Sequence, residues 1–447
     1  MPDNIDLLKD SPRRLMRKLS VPGILGMMVL SVNSLVDSLY LSNLISVDAF
    51  AGVTLLFPFT LVVNSISGLI TVGSSSVLSR SIGAEDKRIQ EMILPNLRAL
   101  ALLGSGVLMV CGLFFPEVLV DLMGATGAVK RAGVDYLTVY LQGAFFIIYG
   151  LSANALIRSE GRIRQAMTYT AVGVVLNILL TPIFIKSFGL GVKGAAWSSI
   201  ISMAVYSLLT SLYFIGGRAT FSTGRFGVSI KKGIIGDVLR VGLSAFSMQA
   251  ANVVRQFILF RSVAWYGSAA DLAIFSVVFR LYSFLAVPVM GMLQPLQPVI
   301  GVNYGAALWH RCIQMMKAFR RSGIFFTGLL LLSPMIFPRY FMELLLADTL
   351  VTDQALNEFR LVLLTLPLLP ISVSTIIFFQ AVGEGKKASS LPLVRQVLIF
   401  LPLVLLVPYF KGISGIYYAL AAENAVYALL LWTMISTEMQ KLRQEWR

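Results

Sequence analysis

Long, nearly uncharged apolar runs recur along this chain about a dozen times, and they constrain its fold more than any other feature. Read between charged or Gly/Pro-rich breaks, they cover 19–42, 50–78, 92–115, 134–157, 166–188, 194–216, 241–265, 271–301, 320–341, 357–382, 391–410 and 413–435. A helix that crosses a bilayer needs roughly 20 such residues. Twelve spans would take up about 240 of the 447 residues, which agrees with 57% hydrophobic and only 13% charged residues. Ordinary soluble enzymes and disordered chains are excluded. Unbroken runs also argue against an outer-membrane barrel, whose strands alternate in polarity. The expected fold is all-α and polytopic, with twelve transmembrane helices.

The charge balance reads as topology. The net charge of +15, from 37 Lys and Arg against 22 Asp and Glu, would suggest nucleic acid in a soluble protein. Here the basic residues sort by loop. Assigning alternate loops to opposite sides puts 27 on one side and seven on the other, with Arg255, Arg261 and Arg280 inside spans. The rich side holds Lys9 to Lys18, Arg158 to Arg164, Lys386, Lys387 and Arg395. Basic loops stay cytoplasmic, so both termini are expected there and no nucleic-acid partner is implied. The basic start resembles a signal peptide, but no A-x-A-like site follows, and Asn33 and Asp37 interrupt the run; it reads as an uncleaved first span.

Internal matches divide the chain. Ala-Val-Tyr-Ser-Leu-Leu at 204–209 recurs about 221 residues later as Ala-Val-Tyr-Ala-Leu-Leu at 425–430. Gly191-Val192-Lys193-Gly194 falls on Gly412-Ile413-Ser414-Gly415, and Gly83-Ala84 on Gly305-Ala306. At a slightly longer offset, Glu160-Gly161-Arg162 falls on Glu384-Gly385-Lys386. The expected organisation is an N-lobe over 1–216, a cytoplasmic linker over 217–240, a C-lobe over 241–435 and a cytoplasmic tail over 436–447. Six spans is an even number, so both lobes enter the membrane in the same sense. Two parallel-repeat six-helix lobes around a central cavity follow, able to rock between inward- and outward-open states.

Polar groups inside the spans are costly and point to function. Asp37 is the only carboxylate in the first two spans, and Asn33 lies one turn before it on the same helix face. Either Asp37 binds or releases a cation, or it is a capped aspartate near the outer end of its helix. Asn177 and Thr181 repeat the i, i+4 spacing in the fifth span, with interhelical hydrogen bonding as the plainer reading of Asn177. In the second half, Gln249, Asn252 and Gln256 form a stripe with Arg255 beside it, and Glu423 and Asn424 lie in the twelfth span. Buried arginines need partners, so Glu423 is expected to pair with Arg255 or Arg280 unless an anionic substrate or lipid does. Arg261, nearest the outer end, can snorkel. Gln294 is a further candidate on the cavity wall. Met27, Met28, Met290 and Met292 suit an adaptable pocket, although packing is their plainer role.

Several motifs together carry a family resemblance. The loop Asn154-Ala-Leu-Ile-Arg158-Ser-Glu160-Gly161-Arg-Ile-Arg-Gln-Ala166-Met167 resembles the N-x-x-x-R-x-E-G-x-x-x-x-A-M signature of the multidrug and toxic compound extrusion (MATE) family. Pro22 with Asn33 and Val36-Asp37, Asn177 to Pro182, and Gly191 to Ala196 extend the match. Gln294-Pro295-Leu-Gln297-Pro298 through Ala306 is similar to the DinF- and MepA-like bacterial branch. The resemblance implies a twelve-helix exporter of hydrophobic, often cationic compounds, driven by inward H⁺ or Na⁺. It implies that Asp37 is the N-lobe coupling residue, with Asn33, Asn177 and Thr181 as partners. The family commonly has Asp where this chain has Thr181, which leaves one carboxylate in that site.

The function expected is therefore secondary active efflux of amphipathic small molecules from a bacterium, across its cytoplasmic (inner) membrane. The chain would work as a monomer, with H⁺ or Na⁺ as coupling ion and no cofactor. Gln249, Asn252, Arg255, Gln256, Arg280, Gln294 and Glu423 would line the substrate cavity. The arginines keep anionic cargo open and support an alternative, a flippase of lipid-linked oligosaccharide. No Walker motif occurs, the single histidine is His310, and Cys111 and Cys312 have no metal-ligand spacing. An ATP-driven pump and an intramembrane enzyme are disfavoured.

Overall fold

A computed structural model describes residues 5–224 and 227–446. Among them every regular element is helical. Nine helical stretches are long and apolar enough to cross a membrane: Pro12–Leu44, Val47–Gly83, Lys87–Phe114, Ile163–Ser187, Gly191–Ile215, Ala269–Gly305, Asp353–Ala381, Gly385–Lys411 and Ser414–Gln444. A tenth, Gly127–Gln142 with Ala144–Ser159, is bent by 47°. The other two of the twelve are Lys232–Tyr266 and Trp309–Ile336, 35 and 28 residues long. Gln249, Asn252, Arg255 and Gln256 make the former less apolar, and Lys317, Arg320 and Arg321 the latter. The twelve are called the first to twelfth spans below, in chain order.

Boundaries differ from the apolar runs for local reasons. The first helix starts at Pro12, because the Ser11 side chain accepts a hydrogen bond from Arg14 N and proline fits the first turn. Its first two turns are therefore basic rather than apolar. The seventh helix already begins at Lys232, so the connection after the sixth is shorter than the expected linker. The run 134–157 is not one straight span, since it breaks at Gly143.

The duplication is visible in the backbone. Glu85 and Ala307, the two non-glycine residues with positive φ among those described, both have φ 55° and close the turns after the second and eighth spans. Gly161 and Gly383 both have φ 86°, a left-handed conformation that glycine adopts without Cβ strain. That pair corrects one alignment: Gly161 corresponds to Gly383, not to Gly385. The shared Glu-Gly letters are a coincidence, because turn geometry and not spelling fixes the register.

The two halves meet toward the end that carries the basic loops. Ser20 Oγ donates to the Met292 carbonyl at 3.0 Å, Gln297 Nε2 to the Val72 carbonyl at 3.0 Å, and Ser76 Oγ to the Gln380 carbonyl. Gly23 of the first span faces Gly291 of the eighth. A Cβ at Gly291 would stand 2.6 Å from the Gly23 carbonyl oxygen, and one at Gly23 closer still to that of Gly291. Only glycine permits this approach. These contacts seal the halves against each other at the basic-loop end, while Asn252, Gln256 and Arg280 are exposed further along their helices. The segment before the first helix reinforces the seal. Leu7 is buried against Gly161, and its carbonyl accepts from Asn303 Nδ2 at 3.0 Å and Arg311 Nη2 at 3.4 Å.

Candidate functional site

Polar groups gather in each half, starting with the first and fifth spans. These two helices both start at the basic-loop end and pack side by side, with Gly26 against Met167. The same number of residues further along each helix reaches Asp37 and Ile178, so Asp37 stands level with Asn177. Asn33 Nδ2 donates to Asp37 Oδ2 at 3.0 Å. Asn177 Nδ2 donates to Ser199 Oγ at 3.4 Å, and Thr181 Oγ1 bonds to the Asn177 carbonyl at 2.8 Å and to Ser198 Oγ at 2.9 Å. Both amide oxygens, Asn33 Oδ1 and Asn177 Oδ1, are buried without a hydrogen-bond partner.

An orphaned buried acceptor is costly unless something supplies a positive charge or a proton. One such oxygen on the residue that holds Asp37, and another at a similar level of the adjacent helix, suit a small cation or a protonated acid. Thr181 is already used in joining the fifth and sixth spans. Tyr136, stacked on Tyr140 with centroids 5.6 Å apart, packs against the cluster of Val139, Ala196 and Ile200 that joins the fourth and sixth spans. Sequence reasoning missed Tyr136, Ser198 and Ser199. Their only signal was polarity inside apolar runs, which hydroxyls bonded back to their own helix share.

The second half is built on Glu423, which is fully buried. Its Oε2 accepts from Arg255 Nη2 at 2.6 Å and its Oε1 from Arg395 Nε at 2.7 Å. Arg395 Nη2 also donates to Asn424 Oδ1 at 2.8 Å, and the Asn424 amide donates to Thr365 Oγ1 at 3.2 Å. Arg255 lies over the Phe400 ring and Arg395 over that of Tyr427, 5.5 and 4.9 Å from the centroids. Two guanidiniums on one carboxylate leave a formal charge of +1.

The expected Glu423–Arg255 pair is present and the alternative with Arg280 is not, because Arg280 is exposed. The grouping of Arg395 with the loop lysines fails. Its helix starts at Gly385, so Arg395 lies roughly 15 Å along it at 1.5 Å per residue, at the start of a π-helical turn, Arg395–Phe400. Gln249 is half-buried, while Asn252 and Gln256 are exposed. Gln294 does line a cavity of about 210 Å³ between the halves, together with Met27, Thr71, Met248, Met290 and Gln380. Met28 is exposed and Met292 buried. Arg261 reaches outward over Trp265, 6.0 Å from its ring centroid, as a snorkelling residue does.

Known proteins bear on these features at three levels. The MatE family model matches twice, at residues 22–183 and 245–406, one copy in each half. A Shewanella oneidensis protein named "FAD transporter" is 26% identical over 439 residues, covering 96% of this chain and 95% of that protein. The Staphylococcus aureus "Multidrug export protein MepA" is 24% identical over 420 residues, covering 93% and 91%. Among solved structures, one described as the outward-facing conformation of a multidrug resistance MATE family transporter superposes with TM-score 0.92 and 26% identity, covering 99% of each chain. A Pyrococcus furiosus transporter of the MOP superfamily, described as having a binding pocket of reverse polarity, gives TM-score 0.90 and 26% identity, covering 98% of each. These matches do not favour the flippase alternative. With the model matched in both halves, and the twelve-helix, two-lobe architecture shared with solved transporters, the chain belongs to the MatE family.

Proposed function

We propose that this chain is a secondary active exporter that moves amphipathic small molecules outward against inward H⁺ or Na⁺, with Asp37 as the coupling group. One observation carries this reading: the Asp37 carboxylate stands level with two buried amide oxygens, Asn33 Oδ1 and Asn177 Oδ1, that have no partner. A Na⁺ among these oxygens would satisfy them, and a proton on Asp37 would supply one donor for either. The positive-inside rule places the basic loops and both termini in the cytoplasm of a bacterium. The sealed end is then cytoplasmic. A membrane potential of 100 mV gives about 2.3 kcal/mol per charge, enough for roughly a fifty-fold gradient.

The cargo carries an anionic group. Arg255 and Arg395 together exceed the one charge of Glu423, and Arg280 adds an exposed cation beyond them. Guanidiniums recognise carboxylates and phosphates by paired hydrogen bonds. The relative named for FAD transport and the solved transporter of reverse pocket polarity are consistent with such cargo. The chain acts as a monomer, since each half supplies its own polar cluster.

Energised inverted vesicles test the proposal. Addition of cargo should produce pH or Na⁺ changes in vesicles holding the native chain and none in those holding Asp37→Asn. Export that continues with both gradients collapsed overturns it.

A further inference from the structure

A cavity of about 870 Å³ lies outside both polar clusters. It sits at the basic-loop end, between the first and fifth spans and under the segment before the first helix. Arg17, Arg162, Arg164 and Arg218 line it, and Val21 and Pro22 form part of its wall. Its volume is within the range of small-molecule sites. It is also amphipathic by construction, charged at the loop level and apolar where the helices enter the membrane.

Two acids, Glu160 and Asp6, also line it, and each accepts hydrogen bonds from its own surroundings. Glu160 accepts from Tyr213 Oη at 2.5 Å and, through its other oxygen, from Thr220 N at 2.5 Å and Thr220 Oγ1 at 2.6 Å. Asp6 Oδ1 accepts from Leu8 N at 2.9 Å and Lys9 N at 3.1 Å. No ion pair within 4.0 Å is seen among the described residues for Arg17, Arg162, Arg164 or Arg218. Arg162 and Arg164 flank the start of the fifth-span helix, which has no side-chain cap. Its first backbone N–H groups add positive partial charge on the same side.

The wall continues into the membrane. Val21, Leu25 and Met28 are exposed at i, i+4 and i+7, one apolar stripe of the first helix that begins at the cavity. Gly23 and Gly26 put the packed side of this helix against the eighth and fifth spans, so the stripe is the face turned away from protein.

From this arrangement we infer that the cavity binds an anionic phospholipid of the adjacent leaflet, its phosphate on Arg162, Arg164, Arg17 and Arg218 and an acyl chain along Val21, Leu25 and Met28. Guanidinium forks fit phosphate oxygens in pairs, and basic pockets between membrane helices at this depth suit lipid headgroups. The site depends on neither the coupling ion nor the cargo.

The test titrates the full chain, purified in neutral detergent, with dioctanoyl phosphatidylglycerol, dioctanoyl phosphatidylcholine and soluble glycerol phosphate. Phosphatidylglycerol should bind at least about tenfold more tightly than either of the others. The double variant Arg162→Gln/Arg164→Gln, and separately Arg218→Gln, should lose most of that preference, while Lys186→Gln at the opposite end keeps it. Equal binding of the two lipids by the native chain overturns the inference, whatever the variants do. Glycerol phosphate binding as tightly as phosphatidylglycerol overturns the lipid assignment and leaves a soluble phosphate compound as ligand. Folded variants that retain the preference overturn the residue assignment.

Discussion

Asn33 Nδ2 holds one carboxylate oxygen of Asp37 at 3.0 Å and leaves its own amide oxygen buried and unpartnered. The amide therefore tethers the acid without completing its surroundings. A side chain that only capped Asp37 would not need a buried acceptor of its own. Asn33→Ala should leave folded protein in the membrane but shift the ion concentration for half-maximal export by about tenfold, upward if Na⁺ couples, because an oxygen ligand is lost, and downward if H⁺ couples, because the carboxylate loses a donor that stabilises its charged form. Ion titration of export in vesicles measures it. An unchanged half-point would place coupling elsewhere.

Among the described residues, Glu423 is the only acid paired with both Arg255 and Arg395. Truncating one partner of a buried ionic cluster costs about 3–5 kcal/mol, because the remaining charges stay buried. Glu423→Gln should therefore lower the unfolding midpoint in detergent far more than Arg261→Gln, whose guanidinium reaches outward. A Glu423→Gln protein with the native midpoint would mean that the arginines have other counter-charges.

The Gly23–Gly291 contact predicts a conformational effect. Gly291→Leu cannot close against the Gly23 carbonyl, so the halves should part at the basic-loop end. A cysteine introduced at Ser20, buried in the native chain, should react with a soluble maleimide several-fold faster in the Gly291→Leu background. Unchanged labelling would show that the seal survives without the glycine pair.

Glu160 gives a pH dependence outside the spans. Burial pushes its carboxyl above the usual range, against hydrogen bonds from Thr220 and Tyr213 and the charge of Arg162. An acid whose folded pKa is raised binds its proton more tightly in the native state, so stability falls as pH rises from the ordinary value, 4.5, through the raised one. Glu160→Gln removes that titration. Melting curves of native and variant chains between pH 4 and 7 should diverge in shape, with only the native chain showing this loss. Parallel curves would exclude Glu160 as the source.

Much of this was legible from residues alone. Apolar runs located the spans, the cost of burying charge singled out Asp37, and the same cost gave Glu423 either Arg255 or Arg280 as partner, of which Arg255 is the one present. Arg395 was hidden because Lys386 and Lys387 lie just before it, and only the helix start at Gly385 shows how deep it sits. The break at Gly143 was equally silent, since glycine within an apolar run is common and its φ of −83° is ordinary. The Gly161–Gly383 correspondence needed backbone angles, because neighbouring letters favoured a different register. The basic cavity required the fold itself, which brings Arg17, Arg162 and Arg218 together from three separate parts of the chain.

The glycine contact between the first and eighth spans also fixes a lever. Asp37 is fourteen residues beyond Gly23, about 21 Å of helix at 1.5 Å per residue. Tilting the first helix by ~10° about that contact would carry the Asp37 end through roughly 4 Å. A hydrogen bond spans only about 3 Å. A small rotation at a fulcrum of two hydrogens is thus enough to carry Asp37 toward or away from its neighbours on other spans, and the absence of two side chains sets how far that end swings.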